Sequence, residues 1–284
     1  MKIFITGIEG FIGRNLQRYF ESKDYKVLGS VSKESSANSS KKILIKLNEE
    51  FDNTFFNNID ILIHCAFDSK QNAYLKNVNG TKKIAELAQK SGVKRQIFVS
   101  SYSAYESALS DYGKAKFELE FFFKEISQTI IRPGLVIGRG GLFERIAGVI
   151  KNFPLVPMIG GGKVPFPVIT MIDLSECINQ IITKNVLGKE FNLFYPDFTD
   201  LKAIITIVSK LENRKCISIP IPIGVLVPIL WLTEKFKIKL PINLENLKGY
   251  SNNYKSPHRS DLDLFSLEKD DLFSKVKSQY TLIN

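Results

Sequence analysis

Thr6-Gly-Ile-Glu-Gly-Phe-Ile-Gly13 follows directly on the apolar run Lys2-Ile-Phe-Ile5 and opens an amphipathic stretch, Phe11–Ser22. Strand, glycine-rich turn and helix in that order form a place for a pyrophosphate. The glycines at 7, 10 and 13 allow a tight turn and close approach of backbone to phosphate, and the helix N-terminus faces the negative charge. Three glycines alone would make only a turn. Between the first strand and first helix of an alternating chain, they point to dinucleotide binding. The expected cofactor contacts here are Gly7, Ile8, Glu9, Gly10, Phe11, Ile12, Gly13 and Arg14.

Outward from that turn, short apolar runs alternate with longer amphipathic ones. Strands are expected at 2–6, 26–31, 43–46, 61–65, 96–100 and 129–132, and helices at 11–22, 71–91 and 112–124. Apolar strands separated by helices imply a parallel sheet covered on both faces. The expected fold is α/β: a Rossmann doubly wound parallel sheet with a small C-terminal α+β substrate domain. We expect the dinucleotide-binding domain over 1–165, rejoined by 168–195. A substrate-binding region would take 196–284 with parts of 134–167.

Beyond Arg132, Gly and Pro cluster, as where a chain leaves a regular sheet to line a pocket. Asp173-Leu-Ser-Glu176 reads as a capping box for a helix through Thr183. A late strand is expected at 190–194 and a helix at 199–212. The segment 217–232, ISIPIPIGVLVPILWL, carries no charge. It is short for a membrane span and holds three prolines, so a buried strand-turn-helix is expected, with contact at a membrane surface as the alternative. The polar tail from Tyr250 is expected to be partly ordered.

The totals exclude several classes. Three cysteines, Cys65, Cys177 and Cys216, lie far apart without metal or redox spacing. Two histidines, His64 in an apolar run and His258 in the tail, give a triad or metal site little to work with, and no metal is expected. The net charge of +10 is scattered, with no nucleic-acid motif, so no nucleic-acid partner is expected. The chain opens directly with a strand and leaves no room for a signal peptide, which points to the cytoplasm.

The second strand decides the cofactor. NAD sites usually carry a carboxylate at its end, whereas Leu28-Gly-Ser-Val-Ser-Lys33 has none. Ser30 or Ser32 with Lys33, aided by Arg14, suits a 2′-phosphate, which favours NADP(H) over NAD(H). The fifth strand ends in Ser100-Ser101, at the carboxyl edge where ligands of such sheets bind. The next helix carries Tyr112 and Lys116, four apart and so on one face. A cationic Lys116 favours the phenolate and suits Tyr112 to proton transfer. Lys114 points elsewhere.

Together TGxxGxxG, Ser101 before Tyr112-x-x-x-Lys116, and Asn77-Val-Asn-Gly-Thr81 resemble the extended short-chain dehydrogenase/reductases. Asp60–Ala66, Arg132-Pro-Gly134 and Thr170–Asp173 add to the likeness, which runs in order over about residues 1–185. The resemblance implies an NAD(P)-dependent enzyme of the epimerase, dehydratase or reductase type acting on nucleotide sugars. It implies Tyr112 as proton donor or acceptor, Lys116 as its tuner and a ribose contact, and Ser101 as the substrate's hydrogen-bonding partner. Ser100, Asn77, Cys65, Ala66, Phe67 and Pro133 would flank the cofactor. Bottom-up, Asn77 equally suits a helix surface, and His64 reads as a core histidine. A homodimer paired through the 71–91 and 112–124 helices is implied too; Phe117 and Phe121–Phe123 suit such a face or an ordinary core.

The departures narrow this. Tyr102-Ser103 after Ser101, where dehydratases carry Asp-Glu, argues against sugar dehydration. Phe166 stands where the resemblance implies a diphosphate-gripping arginine. The expected function is therefore oxidation or reduction of a hydroxyl or keto carbon on a nucleotide-linked sugar. A 4-epimerase with retained NAD is the second expectation, and a non-catalytic dinucleotide-binding assembly protein the third.

Overall fold

The computed structural model describes residues 1–37, 40–70, 72–197, 199–238 and 240–281. In chain order come β1 (Lys2–Thr6), α1 (Phe11–Glu21), β2 (Lys26–Val31), β3 (Lys42–Leu44), β4 (Ile61–His64), α2 (Tyr74–Lys90), β5 (Arg95–Val99), α3 (Asp111–Glu125) and β6 (Thr129–Pro133). Then follow β7 (Leu135–Ile137), α4 (Gly141–Asn152), β8 (Leu155–Ile159), β9 (Val168–Thr170), α5 (Met171–Thr183) and β10 (Glu190–Leu193). Last come α6 (Leu201–Leu211), β11 (Ile217–Ile221), α7 (Ile223–Lys235), α8 (Leu244–Ser251) and α9 (Leu272–Thr281). Two compact units share the chain. The first holds Met1–Ser101, Ala115–Arg132 and Ser175–Phe191; the second holds Tyr102–Lys114, Pro133–Leu174 and Asn192–Asn284.

The first unit is built on a seven-stranded sheet in the order β10-β6-β5-β4-β1-β2-β3. β1 lies parallel between β2 and β4, with Phe4 beside Leu28 and Leu62. This is the doubly wound Rossmann order, and right-handed crossovers put helices on both faces. The two-residue period sorts the core. Phe4, Leu62, Phe98 and Ile130 share one face through their register and pack with Ile84, Ala85 and Ala88 of α2 and Leu119 and Phe123 of α3. Phe123 stacks on Phe98 with ring centroids 4.5 Å apart, so it belongs to the core, whereas Phe121 points outward. α1 buries Leu16 and Phe20 and is tied to α5 by Tyr19 with Glu176, and Tyr25, just before β2, meets Asn179 of the same helix.

β1 and β2 match the expected bounds, and the other expected elements shift by up to three residues. Gln71, where the hydrophobic pattern started the long helix, lies outside the described residues, and α2 starts at Tyr74. Asn38 and Ser39 of the polar loop also lie outside them.

The second unit holds β7 paired with β9, and β11 paired with β8, all parallel. Three of these strands and α4 were not expected, because each strand is only three to five residues and Gly140-Gly141 masks a helix start. The expected capping box at Asp173 is displaced. α5 begins at Met171, and Thr170 Oγ1 accepts from Asp173 N–H at 3.2 Å, so Thr170 is the capping residue.

The tail is ordered along its described length, contrary to expectation. Asn252 donates to the Ser107 carbonyl, Tyr105 donates to the Asn252 carbonyl, and the His258 ring meets the Ala104 carbonyl at 2.7 Å. α9 buries Val276, and Lys275 pairs with Asp173. Segment 217–232 forms the expected strand-turn-helix, yet it is not buried: of α7 only Leu226 and Leu230 are fully covered.

Candidate active site

The glycine turn is shaped by contacts that leave no room for a Cβ. Gly7 has φ +66°, and a Cβ there would lie 2.9 Å from the Ala66 Cα; one on Gly13 would lie 2.4 Å from the Gly7 carbonyl oxygen. Thr6 Oγ1 accepts from Cys65 and Ala66 N–H groups, both at 3.0 Å, so the ends of β1 and β4 are pinned together. Gly10 N–H donates to the Gly7 carbonyl at 2.9 Å. No side chain caps α1 at Gly10, and its first turn holds no acidic residue. A helix N-terminus left open behind a glycine cradle fits a dinucleotide pyrophosphate.

Ser30 has another task than the one expected. It is buried, and its Oγ accepts from Gly7 N–H at 3.0 Å while Ile8 N–H donates to the Ser30 carbonyl. It braces the loop from below. Ser32 and Lys33 are exposed at the end of β2, and Arg14 is half-buried on α1. Glu9 accepts from Lys42 at 3.0 Å, and the Ser36 hydroxyl, then Lys42, hold its carboxyl below the usual range.

Asn77 is fully engaged and buried, so it is no surface residue. Its Oδ1 accepts from Asp68 N–H at 2.7 Å, and its Nδ2 donates to the Asp68 and Ala73 carbonyls at 2.9 Å. One amide thereby fixes the loop that carries Cys65, Ala66 and Phe67. His64 is a core residue. Gln96 Nε2 donates to the Ala85 carbonyl, so Gln96 Oε1 must accept from His64 Nε2–H at 2.7 Å. Burial lowers the imidazole to about 4, and the ring is neutral.

Ser100, at the end of β5, is also buried. Its Oγ donates to Glu120 Oε1 at 2.5 Å, and Arg132 grips the same carboxylate through Nε at 2.8 Å and a terminal nitrogen at 2.6 Å. Arg132 also bonds Glu190, which Lys124 meets at 3.0 Å. The sequence did not single out Glu120; its place one turn past Lys116 on α3, facing Arg132 of β6, was the signal. Ser101 is half-buried.

α3 carries both remaining candidates. Ser110 Oγ accepts from Gly113 N–H at 3.1 Å and caps the helix. Tyr112 stands in the first turn with its side chain part-exposed, and Lys116 follows one turn later, 4% exposed. Lys116 Nζ donates to the Val99 carbonyl at 2.6 Å and lies 4.7 Å from the Phe98 ring. Burial lowers its amine to about 8. Lys114 is exposed, as expected of a residue off that face.

In the second unit, Pro133 accepts from Tyr102 N–H at 2.9 Å. Phe166 packs on Tyr250, 5.3 Å between centroids. An apolar contact thus replaces the expected arginine. Asp173 is used by Tyr195 at 2.7 Å and Lys275 at 2.8 Å. Among the described residues no group of His, Cys, Asp or Glu could hold a metal ion.

Three comparisons bear on this geometry. The model of the NAD dependent epimerase/dehydratase family matches residues 3–193. The UDP-glucose 4-epimerase of Vibrio cholerae is 29% identical over 224 residues, 64% of this chain and 65% of that enzyme. The N-acetyl-alpha-D-glucosaminyl-diphospho-ditrans,octacis-undecaprenol 4-epimerase of Escherichia coli O157:H7 is 33% identical over 110 residues, 32% of this chain and 31% of that protein. The chain thus spans less than two thirds of either relative. Among solved structures, MoeE5 in complex with UDP-glucose and NAD superposes with a TM-score of 0.72 over 99% of this chain and 98% of its own, at 17% identity.

Proposed function

The chain belongs to the NAD dependent epimerase/dehydratase family, and we propose that it oxidises or reduces a hydroxyl or keto carbon of a nucleotide-linked sugar, with Tyr112 exchanging the proton on oxygen. The observation that supports this best is the buried Lys116, whose ammonium donates to the carbonyl at the end of β5 one helical turn from Tyr112. Burying an amine costs stability, and groups held in place at such a cost mark working sites. The nicotinamide would supply or take the hydride. Lys116 holds a positive charge beside the reacting end of the helix, Ser101 offers a hydroxyl to the substrate oxygen, and Ser100 is held off by Glu120. Gly7–Gly13 and the α1 N-terminus would seat the pyrophosphate; Asn77 would keep Ala66 and Phe67 in place. Lys33 and Ser32, exposed past the end of β2, favour NADP(H), although MoeE5 was solved with NAD.

A second reading, a 4-epimerase with retained NAD, is favoured by the names of both curated relatives. The undecaprenol-linked substrate of the E. coli relative widens the sugar carrier from a nucleotide to a polyprenyl diphosphate. Denaturing the purified protein and identifying the released dinucleotide separates the two. An empty site that then prefers NADPH to NADH supports the reductase, and NAD released in near-stoichiometric amount supports the epimerase. A protein that binds either cofactor but never changes its redox state in the presence of keto sugar nucleotides would be the non-catalytic alternative.

A further inference from the structure

α7 has an unusual exposure for its composition. Thirteen residues, IGVLVPILWLTEK, are apolar on nearly every side, which in a globular protein marks a helix buried all round. Here the helix rests on a narrow stripe, Leu226 and Leu230 one turn apart. Val225, Val227, Ile229, Trp231 and Leu232 are each about half exposed. The same unit adds a second apolar face. The register of β11 on β8 sets Ile217 beside Leu155 and Ile219 beside Pro157, and Ile217, Ile219 and Leu155 are all exposed. Phe236, Ile238 and Leu240 continue the apolar surface past α7. Apolar surface on this scale marks a docking face.

The charges beside it say which partner fits. Between Arg214 and Ile238 the chain carries four cations, Arg214, Lys215, Lys235 and Lys237, against one anion, Glu234. Glu234 is turned inward, accepting from Leu244 N–H at 2.8 Å. Lys235 lies 5.1 Å over the ring of Trp231. An apolar face flanked by lysines, with an indole beside an ammonium, complements an anionic lipid headgroup layer over acyl chains. At 1.5 Å per residue, α7 is about 20 Å long, too short to cross about 30 Å of hydrocarbon. Among the described residues no helix is long and apolar enough to cross a membrane. We propose that the α7 face of the second unit docks the protein on an anionic membrane surface, with α7 lying in the interface rather than across it. This proposal stands independently of the reaction proposed above.

Trp231 is the chain's only tryptophan, so its emission reports this face alone. The full chain is mixed with vesicles of phosphatidylglycerol and phosphatidylcholine, and separately with phosphatidylcholine alone. The expected result is a blue shift of emission and co-sedimentation with the anionic vesicles only, weakened by added salt. Val227→Asp with Ile229→Asp, both already outward, should leave circular dichroism unchanged and weaken vesicle partitioning by about tenfold or more. Unshifted emission with all protein in the supernatant would overturn the proposal. So would equal binding to both vesicle types, or a concentration-dependent dimer that shields Trp231 without lipid.

Discussion

At Lys116 stability and chemistry pull on one proton. Its amine falls from an ordinary 10.5 to about 8 because the folded chain buries it. Between those values the unfolded chain binds more protons than the folded one, so stability rises with pH across that window. Below pH 8 burial of the charge costs about 3 kcal/mol, at 1.36 kcal/mol per unit. Replacing Lys116 with Met should therefore stabilise the fold near pH 7 by up to about that amount, with the gain shrinking toward pH 10. Urea unfolding of both proteins at each pH checks it, and a gap that does not change with pH would contradict the burial argument. In the proposed mechanism Lys116 acts in its charged form, so kcat/KM should fall as pH rises through about 8. Tyr112→Phe should lower kcat by about 10²–10⁴-fold while dinucleotide affinity stays within about twofold. Tyr112, Lys116 and Ser101 could be singled out from sequence because their spacing on a helix and at a strand end is local. The employment of Ser30 and Asn77 could not, since each bonds a segment remote or looped in space.

At the scale of elements, the glycine turn and α3 carry the most specific expectations. A Cβ on Gly13 would meet the Gly7 carbonyl at 2.4 Å and the Ile8 Cα at 2.9 Å, both backbone. Gly13→Ala should cost about 1–3 kcal/mol and weaken dinucleotide binding together. Thermal melts and a cofactor titration would show it, and a variant normal in both would mean the turn relaxes freely. Glu120→Ala strips Arg132 of its bidentate partner inside the core. Because Glu190 still pairs with Arg132, a loss of about 1–3 kcal/mol is expected in denaturant unfolding, below that of a buried charge left with no partner. The alternation of β1 to β6 with their helices was readable because apolar runs and amphipathic runs have different periods. β7, β8 and β9 were not, being short strands fixed by partners far along the chain, and α4 was hidden by its Gly140-Gly141 start.

Over the whole molecule, the C-terminal segment is structural. Tyr105, Ser107 and Ala104 are bonded by residues 252–258, and Asp173 by Lys275. A chain ending at Ser251 should unfold at lower denaturant, and the amides of residues 102–108 should exchange faster. Unchanged exchange there would show that the tail merely rests on the surface. Its polar composition hid this, because its role is carried by hydrogen bonds to backbone carbonyls rather than by an apolar stripe. Segment 217–232 misled in the opposite sense: its composition signalled burial, and the second unit leaves it outside.

The most direct measurement follows a labelled hydride. The protein and its Tyr112→Phe variant are incubated with 4-deuterated NADPH or NADH and a set of 4-keto sugar nucleotides, and the sugars are analysed by mass spectrometry. Deuterium in the sugar formed by the parent chain, and two or more orders of magnitude less with the variant, is the predicted result. Deuterium that stays in the cofactor with every sugar, or equal transfer by the variant, would contradict it.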